Sequence, residues 1–246
     1  MILPDKKDSL HEAWMYRVLE AVADNSTLAE VLYFKGGTCA SILGWLDRFS
    51  IDLDFDFVGK QDDIVQIRAG LENIFKGLGL SIKDKSKNGI QYFLKYENKN
   101  STRNTLKIDA SFPPFNASKY APRRLMEIDR ILNCQTIETM FAHKLVAVID
   151  RFEKTTHIAG RDIYDIHHFF MAGYEYDAEV IRERRKGIQA KEYLRQLIDF
   201  IEKEVTDRVI TEDLSPLLRP EKFVIIRKVL KREVLSLLRK EISSLG

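Results

Sequence analysis

The chain has 246 residues, of which 45% are hydrophobic and 31% are charged, and its formal net charge is +2. This composition is typical of a globular protein with a sizeable core, and it excludes a disordered chain. No segment approaches the roughly 18 consecutive apolar residues of a membrane span, and the N-terminus lacks the layout of a secretory signal. The two cysteines, Cys39 and Cys134, provide no disulfide framework. We therefore expect a cytoplasmic protein that does not associate with a membrane.

The charge is unevenly distributed along the chain. From Arg182 to the end, 16 Lys and Arg residues stand against 11 Asp and Glu residues, a net of +5, which leaves −3 for the first 181 residues. One interpretation is an acidic catalytic half beside a basic half that can meet phosphates. The other is a set of solvated helix faces.

The first 120 residues combine helical and strand-like patterns. The predicted helices are residues 9–24, 38–45 and 62–78, and the predicted strands are residues 31–34, 51–58, 80–83, 89–96 and 106–112. Asp8 or Ser9 can cap the first helix. Its apolar side chains are spaced for one buried face, formed by Leu10, Ala13, Trp14, Val18, Leu19 and Val22. Polar turns are expected at residues 85–89 and 98–101.

The pattern changes after Pro113-Pro114, and from Thr136 onward it is helical almost to the end. Predicted helices there begin at Thr136 and cover residues 162–171, 190–204 and 223–238. We place the boundary between the halves within residues 113–136 and assign residues 1–120 and 121–246 to two domains. The fold class is α+β: a small mixed sheet with flanking helices, followed by an all-helical C-terminal half.

The most informative stretch joins a glycine turn at residues 35–38 to an acidic strand at residues 51–58. Because side chains alternate across a strand, Asp52, Asp54 and Asp56 share one face and apolar side chains take the other. Like charges on one face are costly unless a cation lies between them. A divalent metal that carries a nucleoside triphosphate is the obvious candidate, and an exposed strand face is the alternative.

A third carboxylate and a phosphate-binding turn complete this hypothesis. Asp109 interrupts an apolar strand pattern and is placed to supply the third metal ligand from a neighbouring strand. Oxygen ligands suit Mg²⁺, or Mn²⁺ in its place. Gly36 and Gly37 before a helix let the backbone approach a phosphate, and Thr38 can add a hydroxyl contact. A plain turn is the alternative.

These residues, in this order, resemble the AbiEii/AbiGii toxin family of nucleotidyltransferases, within the DNA-polymerase-β-like superfamily. The resemblance is carried by residues 35–38, by residues 48–55 with 14 residues between Gly37 and Asp52, and by two later blocks. One later block contains Lys144, Ala147 and Arg151, and the other is Arg161-Asp162-Ile163-Tyr164-Asp165. The matching blocks span about residues 30–170, and the last 75 or so residues match nothing.

The resemblance implies a nucleotidyltransferase-type sheet, and together with the residue patterns above it leads to a set of predicted roles. Catalytic roles fall on Asp52, Asp54, Asp109, Lys144 and Asp165, and metal ligation falls on Asp52, Asp54 and Asp109. Nucleotide binding falls on Gly36, Gly37, Thr38, Arg48, Ser50, Lys144 and Arg151. Arg48 could instead pair with an aspartate of the strand. Asp165 or Asp162 could orient Lys144 or act as general base, whereas a surface pair of Arg161 with Asp165 is the bland alternative. For Asp56 we favour a solvent-facing position at the strand end over an extension of the site.

The predicted function is metal-dependent transfer of a nucleotidyl group from a nucleoside triphosphate to an acceptor. The resemblance implies the toxin of a toxin–antitoxin or phage-defence pair, opposed by a cognate antitoxin, with the tRNA 3′ end as one acceptor class. A protein hydroxyl, as in AMPylation, is the alternative acceptor. A nucleotide-binding protein that keeps the fold without turnover is the alternative from another functional class.

Overall fold

The computed structural model describes residues 1–98 and 103–245. The chain divides into two compact units, one formed by Met1–Pro114 with Lys119–Thr136 and the other by Phe115–Ser118 with Ile137–Gly246. The turn predicted at residues 98–101 lies, apart from Asn98, outside the described residues.

The first unit is built on a seven-stranded mixed sheet. Its strands are β1 (Leu32–Lys35), β2 (Asp52–Phe57), β3 (Ser81–Lys85), β4 (Ile90–Lys95), β5 (Thr105–Ser111), β6 (Tyr120–Leu125) and β7 (Arg130–Gln135). Their order is β3-β4-β5-β2-β1-β7-β6. The pairs β2–β5 and β1–β7 are parallel, and the remaining neighbours are antiparallel. The acidic strand β2 therefore lies in the centre of the sheet.

The helices of the first unit are α1 (Ser9–Asp24), α2 (Ser26–Val31), α3 (Gly36–Ile42) and α4 (Ile64–Gly77). The buried face of α1 differs from the prediction. Leu10, Ala13 and Trp14 are only partly buried, whereas His11 and Met15 enter the core. His11 is tolerated there because its ring nitrogens lie 2.7 Å from the Tyr96 hydroxyl and 2.8 Å from the Ile51 carbonyl oxygen. Burial lowers the pKa of His11 to about 4, so the buried ring is neutral.

The hairpin of β6 and β7 was not predicted from the sequence. β6 is an edge strand that contains Pro122 and the exposed Arg123 and Arg124. These consecutive residues interrupt the alternation of apolar and polar side chains by which a strand is predicted. β7 joins the sheet through Phe34 and Cys134, which are partners in the β1–β7 ladder. Because this hairpin completes the sheet, the division between the units falls after Thr136 rather than at residue 120.

The second unit contains six helices in its described part, and no strand is found there. They are α5 (Ile137–Thr155), α6 (Gly160–Met171), α7 (Ala178–Arg184), α8 (Ala190–Glu204), α9 (Asp207–Leu214) and α10 (Pro220–Ser244). The helix predicted at residues 190–204 is confirmed, α7 and α9 were not predicted, and α10 is longer than predicted at both ends. The α+β class with an all-helical C-terminal half is thus confirmed. Among the described residues, no helix is both long and apolar enough to cross a membrane.

Candidate active site

The acidic strand has the two-faced character that its sequence predicts. Leu53, Phe55 and Phe57 are completely buried on one face of β2, and Asp52 and Asp54 are partly buried on the other. The parallel neighbour β5 places Asp109 directly beside Asp54 and Lys107 beside Asp52. We call Asp52, Asp54 and Asp109 the carboxylate face. The structure therefore brings together the three carboxylates selected from the sequence.

A row of polar residues crosses four strands at the level of Asp54. Its members, in order, are Lys35 of β1, Asp54 of β2, Asp109 of β5 and Gln91 of β4. Directly opposed residues on one sheet face have Cβ atoms about 5 Å apart. The two central carboxylates are therefore close enough to repel each other.

The electrostatics of Asp54 reflect this crowding. Burial raises the pKa of Asp54, and the charges of Asp52 and Asp109 raise it further, while Lys107 and Lys35 only partly compensate. Ionisation of Asp54 is therefore less favourable here than in an exposed aspartate. An added cation on this face would relieve the cost.

Asp109 has partners of its own. Its Oδ2 lies 2.7 Å from the Lys107 ammonium and accepts a hydrogen bond of 3.0 Å from the Gln91 amide. Within the described part of the chain, no three His, Cys, Asp or Glu side chains are grouped so that they could hold a metal as they stand. The sequence analysis did not select Lys107 or Gln91 as site residues. Lys107 could have been selected, because it lies two residues before Asp109 on β5 and therefore shares its face of the strand.

The donor chemistry of the carboxylate face nevertheless fits a hard divalent cation. All three candidate ligands are carboxylate oxygens, which Mg²⁺ and Mn²⁺ prefer, and Asp54 has an unmet need for positive charge. Asp52 and Asp54 are neighbours on one strand face, and Asp109 lies in register with Asp54 on the adjacent strand.

The glycine turn lies against this face. Gly36 has a φ of +79°, and a Cβ at this position would lie 2.7 Å from Asp54 Oδ2. A Cβ on Gly37 would lie 2.9 Å from Arg48 Nη2 and 3.0 Å from Ser50 Oγ. The glycines are therefore required for the close approach of the turn to Asp54, Arg48 and Ser50. The helix begins at Gly36, two residues before the predicted start.

Thr38 and Arg48 lie inside the protein. Thr38 is completely buried, and its hydroxyl donates to the Asp52 carbonyl oxygen. Arg48 is only 2% exposed and donates a hydrogen bond of 2.9 Å to the Phe49 carbonyl oxygen. These contacts stabilise the turn and the start of β2. The phosphate contacts of both side chains stay predictions.

The prediction of a solvent-facing Asp56 is wrong. Asp56 is 3% exposed, and its carboxylate accepts hydrogen bonds from Lys35 at 2.6 Å, Tyr120 at 2.7 Å and Gln135 at 2.6 Å. These partners belong to β1, β6 and β7, which are distant in sequence, so no local pattern announces them. Three donors satisfy the buried charge, and Asp56 anchors the sheet instead of extending the carboxylate face.

The second unit contains a separate charged group, which we call the lysine cluster: Lys144, Arg151, Asp162 and Asp165. Lys144 and Arg151 lie seven residues, or about two turns, apart on α5, and both aspartates lie on α6. The Lys144 ammonium is 2.9 Å from Asp162 Oδ1 and 2.9 Å from Asp165 Oδ2, and Arg151 Nη2 is 3.2 Å from Asp162 Oδ2.

Both aspartates of the lysine cluster are buried. Burial alone would raise the pKa of Asp162, but the charges of Lys144 and Arg151 outweigh it and hold this pKa well below its usual range. The geometry supports the interpretation in which Asp162 and Asp165 orient Lys144.

The sheet, the glycine turn and the acidic central strand together define a nucleotidyltransferase fold. Three solved structures are similar to this chain. A protein of H. pylori assigned as a nucleotidyltransferase has 19% identity and a TM-score of 0.60, covering 98% of this chain and 99% of its own. JHP933 from Helicobacter pylori has 20% identity and a TM-score of 0.54, covering 98% and 97%. MenT4, a nucleotidyltransferase toxin from Mycobacterium tuberculosis, has 16% identity and a TM-score of 0.52, covering 97% and 91%.

The sequence itself establishes the family. Residues 17–224 match the family described as nucleotidyl transferase AbiEii toxin, type IV toxin–antitoxin system. The chain belongs to this family of toxin nucleotidyltransferases, and the resemblance drawn from its motifs is confirmed. No curated protein sequence matches the chain significantly.

Proposed function

We propose that this protein binds Mg²⁺, or Mn²⁺, through the carboxylate face and transfers the nucleotidyl group of a nucleoside triphosphate to an RNA acceptor, the tRNA 3′ end being the leading candidate. One observation carries the proposal: Asp109 lies in register with Asp54, on the strand face that Asp54 shares with Asp52, and the crowding of these carboxylates raises the pKa of Asp54. A divalent ion, when bound, would neutralise the phosphates and align the acceptor hydroxyl.

The proposed reaction needs correct placement more than covalent help from the protein. The acceptor hydroxyl gives up its proton to water as its oxygen forms a bond to the α-phosphorus, the bond from that phosphorus to the bridging oxygen breaks, and pyrophosphate leaves. Lys144 and Arg151 are assigned to the phosphates, because an ammonium and a guanidinium both bind phosphate oxygens. Asp162 and Asp165, which hold Lys144 at 2.9 Å, keep this charge in place.

The biological setting is proposed from the family and from charge. A type IV toxin–antitoxin family suggests a cognate antitoxin, and MenT4 is itself a nucleotidyltransferase toxin. RNA is favoured as acceptor because residues 182–246 carry a net charge of +5, which suits a phosphate backbone. A role in phage defence and a cytoplasmic location belong to the same proposal.

The test incubates the protein with each labelled nucleoside triphosphate, Mg²⁺, total tRNA and a protein extract. Label on RNA that disappears with Asp54→Asn and with chelation supports the proposal. The matched control is Asp84→Asn on the exposed strand β3, which should retain full transfer. Label on protein would favour AMPylation, and nucleotide binding without any labelled product would favour a protein that lacks turnover. Full transfer by Asp54→Asn would overturn the assignment of the carboxylate face.

A further inference from the structure

Lys107 lies on the carboxylate face, beside Asp52 and two residues before Asp109. Its ammonium is 2.7 Å from Asp109 Oδ2, and its backbone is in register with Asp52, next to Asp54. The ammonium is therefore paired with one of the three carboxylates that are proposed to hold the metal.

The oxygen that Lys107 contacts, Asp109 Oδ2, already accepts as many hydrogen bonds as it has lone pairs. Each oxygen of an ionised carboxylate has about two lone-pair positions. Asp109 Oδ2 accepts one hydrogen bond from Lys107 and another, of 3.0 Å, from Gln91. A metal ion could use this oxygen only after at least one of the donors had left.

We propose that Lys107 is a resident cation of the carboxylate face, which competes with a divalent ion for Asp109. This inference rests on the proposed function, because it assumes that the carboxylate face binds metal. It makes Lys107 a residue that sets metal affinity: in the protein without metal its ammonium neutralises part of the negative charge of this face, and metal binding replaces that single charge with two. A flexible four-carbon stem lets the ammonium move away without rearranging β5.

The experiment measures Mn²⁺ binding to the full chain by electron paramagnetic resonance, in the absence of nucleotide. Lys107→Met should bind Mn²⁺ about tenfold more tightly than the wild type, because Asp109 no longer has to be released from an ion pair. Lys107→Arg should keep the wild-type affinity, since it keeps the charge. A lysine that merely supported the fold would give no gain in affinity when removed.

A double-mutant cycle separates displacement from a general effect of charge. In an Asp109→Asn background, Lys107→Met should tighten binding by no more than about threefold, because the competed ligand is absent. Lys95→Met, on the exposed end of β4, should change the affinity by less than about twofold. Thermal unfolding of each variant confirms that it is folded, and Lys107→Gln replaces Lys107→Met if the latter is not.

Two results would overturn the inference while leaving the proposed function intact. One is Mn²⁺ affinity that is unchanged or weaker in Lys107→Met, and the other is a full tenfold gain that persists in the Asp109→Asn background. If Asp54→Asn binds Mn²⁺ as tightly as the wild type, the carboxylate face itself is misassigned, and the proposed function fails together with the inference.

Discussion

The carboxylate face and the lysine cluster contain similar residues but have opposite electrostatics. On the carboxylate face, burial and neighbouring carboxylates raise the pKa of Asp54. In the lysine cluster, Lys144 and Arg151 outweigh burial and lower the pKa of Asp162. The first group is short of positive charge, and the second has its positive charge supplied by the protein. A site that binds a cation must be incomplete without it, whereas groups that position a lysine must be complete beforehand.

Removal of Lys144 should have the largest effect on stability. Lys144→Met leaves the buried carboxylates of Asp162 and Asp165 without their shared ammonium, and we expect the free energy of unfolding to fall by about 3–5 kcal/mol. Urea unfolding at neutral pH measures this change. Lys154→Met, an exposed position on the same helix, is the control and should stay within about 0.5 kcal/mol of the wild type. A small loss for Lys144→Met would show that the cluster is not self-neutralised.

Neutralisation of Asp54 should act in the opposite direction. Because its folded-state pKa is raised, ionised Asp54 opposes folding at neutral pH, and Asp54→Asn should stabilise the metal-free protein by about 0.5–2 kcal/mol while it abolishes transfer. Thermal unfolding with chelator present measures the gain, with Asp84→Asn as the matched exposed control. A destabilised Asp54→Asn variant would contradict the conclusion that the carboxylate face and the lysine cluster have opposite electrostatics.

The smallest predicted effect is a difference between the pKa values of Asp54 and Asp162, which can be measured without an activity assay. Carboxyl ¹³C shifts should place the midpoint of Asp54 above 3.8 and that of Asp162 below it. For Asp162, whose folded pKa is depressed, the stabilisation is present above pH 3.8 and is lost as pH falls through the folded value. For Asp54 the sign is reversed, and stability falls as pH rises through its raised pKa. Equal midpoints for the two residues would contradict the comparison.

The local elements were predictable where one face of an element is buried. The alternation of residues 51–58 predicted β2 and the face shared by Asp52 and Asp54, and the helical period of residues 190–204 predicted α8. The hairpin of β6 and β7 was not predictable in this way. An edge strand with a proline and exposed arginines has no apolar period, and it is stabilised by pairing with strands remote in sequence.

The same distinction holds for the candidate site. Motif order and spacing singled out Asp52, Asp54, Lys144 and Asp165, and the strand pattern singled out Asp109. The structure groups Asp52, Asp54 and Asp109 on one sheet face and Lys144 and Asp165 in the lysine cluster. The phosphate contacts of Thr38 and Arg48 stay predictions. The structure adds that both side chains donate hydrogen bonds to backbone carbonyl oxygens, which their place in the motif did not indicate.

By itself, the sequence determined the family, the acidic strand and the identity of its carboxylates, because strand alternation and motif spacing are local properties. Only the tertiary structure decided which charges are neutralised. In the folded protein Asp56 accepts hydrogen bonds from Lys35, Tyr120 and Gln135. Lys107 donates a hydrogen bond to Asp109. The physical reason is that burial and charge pairing depend on which strands become neighbours, and most of these neighbours are far apart along the chain.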